Sequence, residues 1–117
     1  MKKPDVLAAL AALAQENRLD VFRLLVEAGL EGMPAGSVAS ALKLAPNTLT
    51  FHFDRLREAG LVTVRREGRS MIYAARFDRM NALLGYLTEN CCQGRAEQCA
   101  PAQCKPTTKS ARQTESA

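Results

Sequence analysis

Residues 45–76 constrain the fold most strongly, because they predict a helix, a stop and a two-stranded hairpin in direct succession. Pro46 suits a first helical turn, where its missing N–H group costs no hydrogen bond. Leu49, Phe53 and Leu56 then recur at positions i, i+4 and i+7, which is typical of one apolar helix face. This helix is therefore expected to bury one face and to present the other.

The hairpin is predicted directly after this helix. Gly60 can adopt the left-handed conformation that ends a helix. Residues 61–64 and 70–75 are rich in β-forming side chains. The segment Arg66-Glu67-Gly68-Arg69 lies between them, and a glycine between two β-rich runs is a hairpin signal.

The face of the helix opposite Leu49, Phe53 and Leu56 is polar in its N-terminal half. That pattern suits a helix that enters the DNA major groove N-terminal end first, while the arginines of the hairpin tip suit phosphates. The predicted DNA contacts are Asn47, Thr48, Thr50, Phe51 and Arg55 on the helix and Arg65, Arg66 and Arg69 on the hairpin. Phe51 is interpreted as an apolar contact for a thymine methyl group. The alternative is an ordinary surface helix and hairpin with solvated charges.

Two helices are predicted near the start of the chain. Leu7, Leu10 and Leu13 form an apolar stripe on the first, which allows it to lie against another helix. Asn17 is predicted to be the N-cap of the second helix, with Asp20 as its capping-box partner.

A short third helix is expected between the second helix and the segment that begins at residue 45. Gly32, Pro34 and Gly36 mark a loop before it. Ser37 is predicted to cap it, and Val38, Ala41 and Leu42 are predicted to face inward. The resulting order of helices is that of a helix-turn-helix, to which the hairpin adds a wing. The predicted fold class is mainly α (α+β), a winged helix-turn-helix with a two-stranded β-wing.

A last helix is predicted after residue 76. Its apolar stripe consists of Met80, Leu83, Leu84 and Leu87. Cys91 continues that stripe, Cys92 points about 100° away from it, and Gln93-Gly94 stop the helix. Because the first and last helices flank a complete small fold, we infer that they pack together in a homodimer.

The length of 117 residues suggests one domain with a tail. We expect a DNA-binding and dimerisation domain over residues 1–92, a cysteine-containing inducer-binding segment over 93–104 and a disordered tail over 105–117. The net charge of +4 favours an anionic partner. The apolar run near the N-terminus mimics a signal peptide, but Pro4 and Asp5 interrupt its entry. No stretch is long enough to span a membrane, and a cytoplasmic location is expected.

Catalysis is not expected. The sequence has neither a Gly-rich phosphate loop nor a Ser/His/Asp set, and no catalytic cofactor is predicted. His52 is the single histidine, and the helical wheel places it half-buried at the base of the polar helix. Without a second histidine or a cysteine nearby in sequence, it is not expected to bind metal.

Four cysteines, at positions 91, 92, 99 and 104, lie in one short segment. Clustering of this kind argues against a disulfide framework that staples the fold. Thiolates without histidine or carboxylate select soft ions. The cluster therefore indicates either a soft-ligand site or thiol redox chemistry.

These residues resemble the ArsR/SmtB family of metal- and metalloid-responsive bacterial repressors. The resemblance covers residues 4–92 and rests on residues 17–25, 48–53 and 56–62, on the wing residues 66–69, and on Tyr73. It implies a winged-helix homodimer that binds double-stranded operator DNA and releases it when an inducer binds.

The segment Thr88-Glu89-Asn90-Cys91-Cys92, followed by Cys99-Ala100, looks like the C-terminal thiol site of one arsenite-responsive branch of that family. The sequence departs from many arsenic-responsive members, because residues 36–42 lack their Cys-Val-Cys motif. Cys104 is also extra to the three-thiol pattern.

Arsenite is the first-ranked inducer, with antimonite as a close mimic, on Cys91, Cys92 and Cys99. The third thiol has two alternative sources, the same chain and the other subunit. A methylated trivalent arsenical, which needs only Cys91 and Cys92, ranks second. Zinc or cadmium ranks third. These ions would prefer four thiolates, and Cys104 would be the fourth. The rival functions are a thiol-redox-switch repressor and a winged helix that binds a protein partner.

Overall fold

The computed structural model describes residues 1–95, which form five α-helices and a three-stranded antiparallel sheet. The helices are α1 (Lys3–Leu13), α2 (Glu16–Ala28), α3 (Ala35–Leu42), α4 (Pro46–Glu58) and α5 (Phe77–Leu87). The strands are β1 (Met33–Pro34), β2 (Val62–Glu67) and β3 (Ser70–Ala75), and 3-10 turns occupy Gly29–Glu31 and Cys91–Gly94. The winged helix-turn-helix prediction is confirmed. Cys99, Cys104 and the predicted tail lie outside the described residues.

Helix α4 is built as its sequence predicts. Pro46 occupies the first turn, and Leu49, Phe53 and Leu56 are at most 2% exposed. The helix ends at Glu58, and Gly60 follows with φ +79°, the left-handed conformation expected there. The buried face of α4 packs mainly against α2, whose Val21 and Leu25 are fully buried.

The wing is the predicted hairpin with a third strand added. β2 and β3 pair in antiparallel register from Val62 opposite Ala75 to Glu67 opposite Ser70. β1 pairs with the other edge of β3, with Met33 opposite Tyr73, so the sheet order is β1-β3-β2. The expected loop at 32–36 therefore contains a strand. A two-residue strand that contains Pro34 carries no alternating pattern, so it could not be predicted from the sequence.

Two predicted helix caps are wrong. The N-cap of α2 is Gln15, whose side-chain Oε1 accepts a hydrogen bond from the Arg18 backbone N–H at 2.9 Å, and Asn17 already lies inside the helix. Helix α3 begins at Ala35 after Pro34, which places Ser37 inside it. Of the three residues predicted to face inward from α3, Val38 is fully buried and Leu42 is partly buried, whereas Ala41 is exposed.

Helix α5 is shorter than its apolar stripe suggests. It ends at Leu87, and Thr88 is its C-cap. Asn90, Cys92 and Gln93 all have positive φ between 55° and 58°, which is incompatible with a continuing right-handed helix. The prediction that Cys91 continues the α5 stripe is therefore wrong, and both cysteines lie in the separate turn Cys91–Gly94.

No helix among residues 1–95 is both long and apolar enough to cross a bilayer.

Replacing Gly32 tests how closely the residue before β1 packs against β3. Its φ is +74°, and a β-carbon there would collide with the Tyr73 carbonyl oxygen. We expect Gly32→Ala to lower the free energy of unfolding by about 2 kcal/mol or more, measured by urea denaturation.

Gly36→Ala is the matched control, since nothing lies within 4 Å of its β-carbon position. Gly36 lies in α3, so this variant should be unchanged or up to about 1 kcal/mol more stable. Equal stability of the two variants would contradict the described contact between Gly32 and β3.

Candidate functional site

The outer face of α4 carries the side chains that the sequence assigned to DNA. All five predicted residues of this helix are exposed: Asn47, Thr48, Thr50, Phe51 and Arg55. Asn47 and Thr48 lie in the first turn, where backbone N–H groups have no partner inside the helix. Thr50 differs from them, because its hydroxyl donates a hydrogen bond to the Pro46 carbonyl oxygen at 3.0 Å. Its hydroxyl proton is therefore already used by its own helix.

Phe51 and Arg55 contact each other one helical turn apart. The guanidinium carbon of Arg55 lies 5.0 Å from the centre of the Phe51 ring, within the range of a cation–π interaction. Arg55 Nη1 also donates a hydrogen bond to Glu58 Oε1 at 3.1 Å. The Phe51 side chain is half-exposed although it is large and apolar. The sequence predicted that both residues face outward but did not predict this contact.

The three wing arginines are exposed but have different partners. Arg65 donates from Nε to Glu67 Oε2 at 2.7 Å and from Nη2 to the Glu31 carbonyl oxygen at 2.8 Å. Arg66 Nε donates to the Gly68 carbonyl oxygen at 3.1 Å, within the hairpin turn. Arg69 lies in the turn itself. Arg65 thus joins the wing to the turn that follows α2, a structural role that the sequence did not reveal.

His52 lies on the inner side of α4 and is more buried than predicted, at 5% exposure. Neither ring nitrogen has a hydrogen-bond partner among the described residues. Burial lowers the pKa of His52 below its ordinary value of 6.5, and the positive charge of Arg18 lowers it further. Arg18 is held by a hydrogen bond from its Nε to the Ala12 carbonyl oxygen at 2.6 Å. The folded protein therefore favours neutral His52.

Helices α1 and α5 contact each other and share an exposed apolar surface. Leu7 and Leu10 of α1 are 59% and 40% exposed, and Leu84 and Leu87 of α5 are 42% and 56% exposed. Beside them an apolar groove of about 360 Å³ runs between α2 and α5. Four exposed leucines on two adjacent helices are typical of a surface that another chain covers.

Cys91 and Cys92 lie just beyond the C-terminal end of α5, after the three residues 88–90. Cys91 is half-buried and Cys92 is exposed. Within residues 1–95, no group of three or more His, Cys, Asp or Glu side chains lies close enough to hold a metal ion. The described residues supply two of the predicted thiol ligands, and the other two candidates, Cys99 and Cys104, lie outside them. His52 does not join the cysteines in a metal-binding group.

The fold and the outward polar face of α4 define the class of winged helix-turn-helix DNA-binding proteins. Residues 13–65 match the sequence profile of a helix-turn-helix domain family. The chain is 35% identical over 77 residues to an uncharacterised helix-turn-helix transcriptional regulator, YceK of Bacillus subtilis, covering 65% of this chain and 76% of the relative. It is 31% identical over 84 residues to the transcriptional activator HlyU of Vibrio cholerae, covering 72% and 75%.

Solved structures agree with these sequence matches. HlyU of Vibrio cholerae superposes with a TM-score of 0.62 at 28% identity, covering 80% of this chain and all of that one. A homodimeric winged helix-turn-helix DNA-binding domain of Mycobacterium bovis, described as a possible ArsR-family regulator, shares the fold with a TM-score of 0.60 at 24% identity, covering 86% of this chain and 89% of that one. The chain belongs to the family of helix-turn-helix transcriptional regulators that these relatives represent.

Arg69 provides a test of the wing as a phosphate contact. We expect Arg69→Ala to weaken binding to a duplex of arbitrary sequence and to reduce the slope of log affinity against log salt by about 0.9, the contribution of one phosphate. The slope is measured by fluorescence anisotropy at salt concentrations from about 50 to 200 mM, a range over which phosphate-dependent DNA affinity falls.

Arg23→Ala is the matched charge control, because Arg23 is exposed on α2 and lines the groove beside α5. It should leave the slope unchanged. Equal slopes for Arg69→Ala and the unmodified protein would show that Arg69 does not contact a DNA phosphate.

His52 predicts a pH dependence of stability. Because its pKa is lowered in the folded state, the unfolded chain binds the proton first as pH falls. The stability that neutral His52 contributes is complete above its ordinary pKa of 6.5 and is lost as pH falls below that value. Urea denaturation on either side of that pH should therefore show a loss in the unmodified protein that is smaller in His52→Gln. The chain has a single histidine, so comparing the two proteins isolates the protonation of His52.

Equal loss of stability in the two proteins as pH falls would contradict the lowered pKa of His52.

Proposed function

We propose that this protein is a repressor that binds operator DNA as a homodimer and releases it when trivalent arsenic, or its mimic antimony, binds cysteine thiolates. The observation that supports this proposal best is the position of Cys91 and Cys92, a few residues beyond the helix whose exposed leucines suit a subunit contact. In that position a ligand can act on the arrangement of the two subunits.

The exposed surface of α1 and α5 supports the homodimer. Burying Leu7, Leu10, Leu84 and Leu87 against the same surface of a second chain removes a large apolar area from water. The Mycobacterium bovis domain of the same fold is itself described as homodimeric. A two-fold dimer would present two α4 helices to successive major grooves, roughly 34–36 Å apart.

Thiol chemistry supports the choice of inducer. Trivalent arsenic takes three thiolates, and Cys91 and Cys92 supply two of them. Cys99 is the proposed third, by resemblance to the arsenite-responsive branch. A methylated arsenical would need only the two described thiols, while zinc or cadmium would prefer four and would add Cys104.

Contacts between α5 and the end of α4 offer a route for release. The Arg76 backbone N–H donates to the Leu61 carbonyl oxygen at 2.8 Å, which joins the start of α5 to the residues that follow α4. The Arg79 guanidinium packs against Gly60, where an added β-carbon would lie 3.2 Å from its Nε. A ligand that reorients α5 would therefore reorient α4 as well. A coupling free energy of about 1–3 kcal/mol would weaken DNA binding roughly 5–150-fold.

Replacing both thiols tests the proposal. We expect the double variant Cys91→Ser, Cys92→Ser to bind DNA from its own upstream region as tightly as the unmodified protein does. Arsenite should weaken DNA binding by the reduced unmodified protein roughly 5–150-fold and leave the double variant unaffected. Anisotropy titrations with arsenite, antimonite, methylarsonous acid, zinc and cadmium identify the inducer.

Cys104→Ser is the control, since only a four-thiolate metal site would need it. A double variant that still responds to arsenite would overturn the thiol site. A reduced unmodified protein that never binds this DNA would overturn the operator-binding proposal and favour a protein partner.

A thiol-redox switch is the second candidate, favoured by the exposure of Cys92 and its position beside Cys91. Two thiols would lose two protons and two electrons to a peroxide and form a disulfide, with Cys99 or Cys104 as partner. HlyU of Vibrio cholerae has been solved in a form described as reduced, at 28% identity and a TM-score of 0.61. Release by peroxide that a dithiol reverses, without release by arsenite, would favour this candidate.

A further inference from the structure

We propose that Phe51 and Arg55 act as one reading unit, which selects a thymine and a guanine at adjacent base pairs of each operator half-site. This inference rests on the proposed binding of operator DNA and names the base content that α4 requires. The two side chains support it by contacting each other on the exposed face of α4.

The chemistry of the two side chains assigns the bases. In the major groove, thymine is distinguished by its C5-methyl group, which an apolar side chain contacts. Guanine is distinguished by two acceptors, O6 and N7, which an arginine fork binds bidentately. Phe51 is a half-exposed aromatic ring and Arg55 is a half-exposed guanidinium, so each offers the matching chemistry.

The spacing of the two groups sets how far apart the bases lie. Residues four apart on a helix are separated by about 6 Å along its axis. Arg55 nevertheless leans toward Phe51, and its guanidinium carbon lies 5.0 Å from the ring centre. Base pairs stack about 3.4 Å apart, so two groups this close together suit two adjacent base pairs.

Glu58 holds the guanidinium in position. Its Oε1 accepts a hydrogen bond from Arg55 Nη1 at 3.1 Å, on the side of α4 toward the helix C-terminus. Held by Glu58 on one side and by the Phe51 ring on the other, Arg55 loses less side-chain freedom when it binds a base. Its remaining guanidinium nitrogens, Nε and Nη2, form one edge of the fork, which suits the two acceptors of guanine.

The neighbouring side chains on α4 are less suited to this role. The Thr50 hydroxyl donates to the Pro46 carbonyl oxygen within its own helix. Asp54 pairs with Arg57 at 3.7 Å, and its carboxylate repels the phosphates. In the middle of α4, Phe51 and Arg55 are therefore the residues best suited to read bases.

Selection from a duplex pool tests this inference. The pool carries about 20 random base pairs, enough for two half-sites one helical turn apart. The unmodified protein should enrich a thymine and a guanine at adjacent base pairs in each half-site. Phe51→Ala should lose the thymine preference and keep the guanine, and Arg55→Ala should do the reverse. Leu30→Ala, which removes an apolar side chain 82% exposed on the turn after α2, should keep both preferences.

Replacing the selected thymine by deoxyuridine then removes only the methyl group. This change should weaken binding of the unmodified protein about fourfold, the effect of exposing one methyl group. It should not change binding by Phe51→Ala, whose fold is checked by circular dichroism. Equal affinity of the unmodified protein for thymine and uracil duplexes, with sequence selection intact, would overturn this inference and leave the proposed function standing. Failure to bind or select any duplex would overturn the proposed function itself.

Discussion

The burial of one face of α4 is the constraint on which the rest of the structure depends. Phe53 stacks on Tyr73 of β3 with ring centres 3.6 Å apart and planes 4° from parallel, and Leu49 and Leu56 are buried beside it. A stacked aromatic pair adds to the stabilisation that area burial gives. Because these contacts fix the rotation of α4 about its own axis, the opposite face must point away from the core. The same stack fixes the wing relative to α4, so the two candidate DNA-contacting elements are positioned by one interaction.

Two further contacts connect this unit to the rest of the chain. Arg65 joins the wing to the turn after α2 through the Glu31 carbonyl oxygen. The hydrogen bond from Arg76 N–H to the Leu61 carbonyl oxygen joins the end of α4 to the start of α5. Helix α5 carries exposed leucines and ends just before Cys91 and Cys92. A change at the thiols can thus reach α4 through one helix and one backbone contact, which is how the proposed release would operate.

Periodic features were predictable from the sequence, and the exact ends of the helices were not. Leu49, Phe53 and Leu56 identify the buried face of α4 because a helix repeats every 3.6 residues. Gln15 acts as the cap of α2 instead of Asn17, although cap preferences favour asparagine, because the chain turns two residues earlier. The stripe of α5 does not reveal its end at Leu87, since left-handed backbone at Asn90 and Cys92 leaves no periodic signal. The DNA-contacting and thiol-ligand roles remain predictions, although the exposure of the eight DNA candidates agrees with them.

The outer face of α4 and the wing are proposed to bind duplex DNA. An NMR titration of the isotope-labelled, reduced protein with a duplex from its own upstream region tests this binding residue by residue. We expect backbone amide shifts concentrated in the first two turns of α4, over residues 46–51, and at the wing, over residues 65–69. The groove between α2 and α5 should change little. Shifts confined to that groove or to α1, with α4 and the wing unaffected, would show that these two elements do not bind DNA.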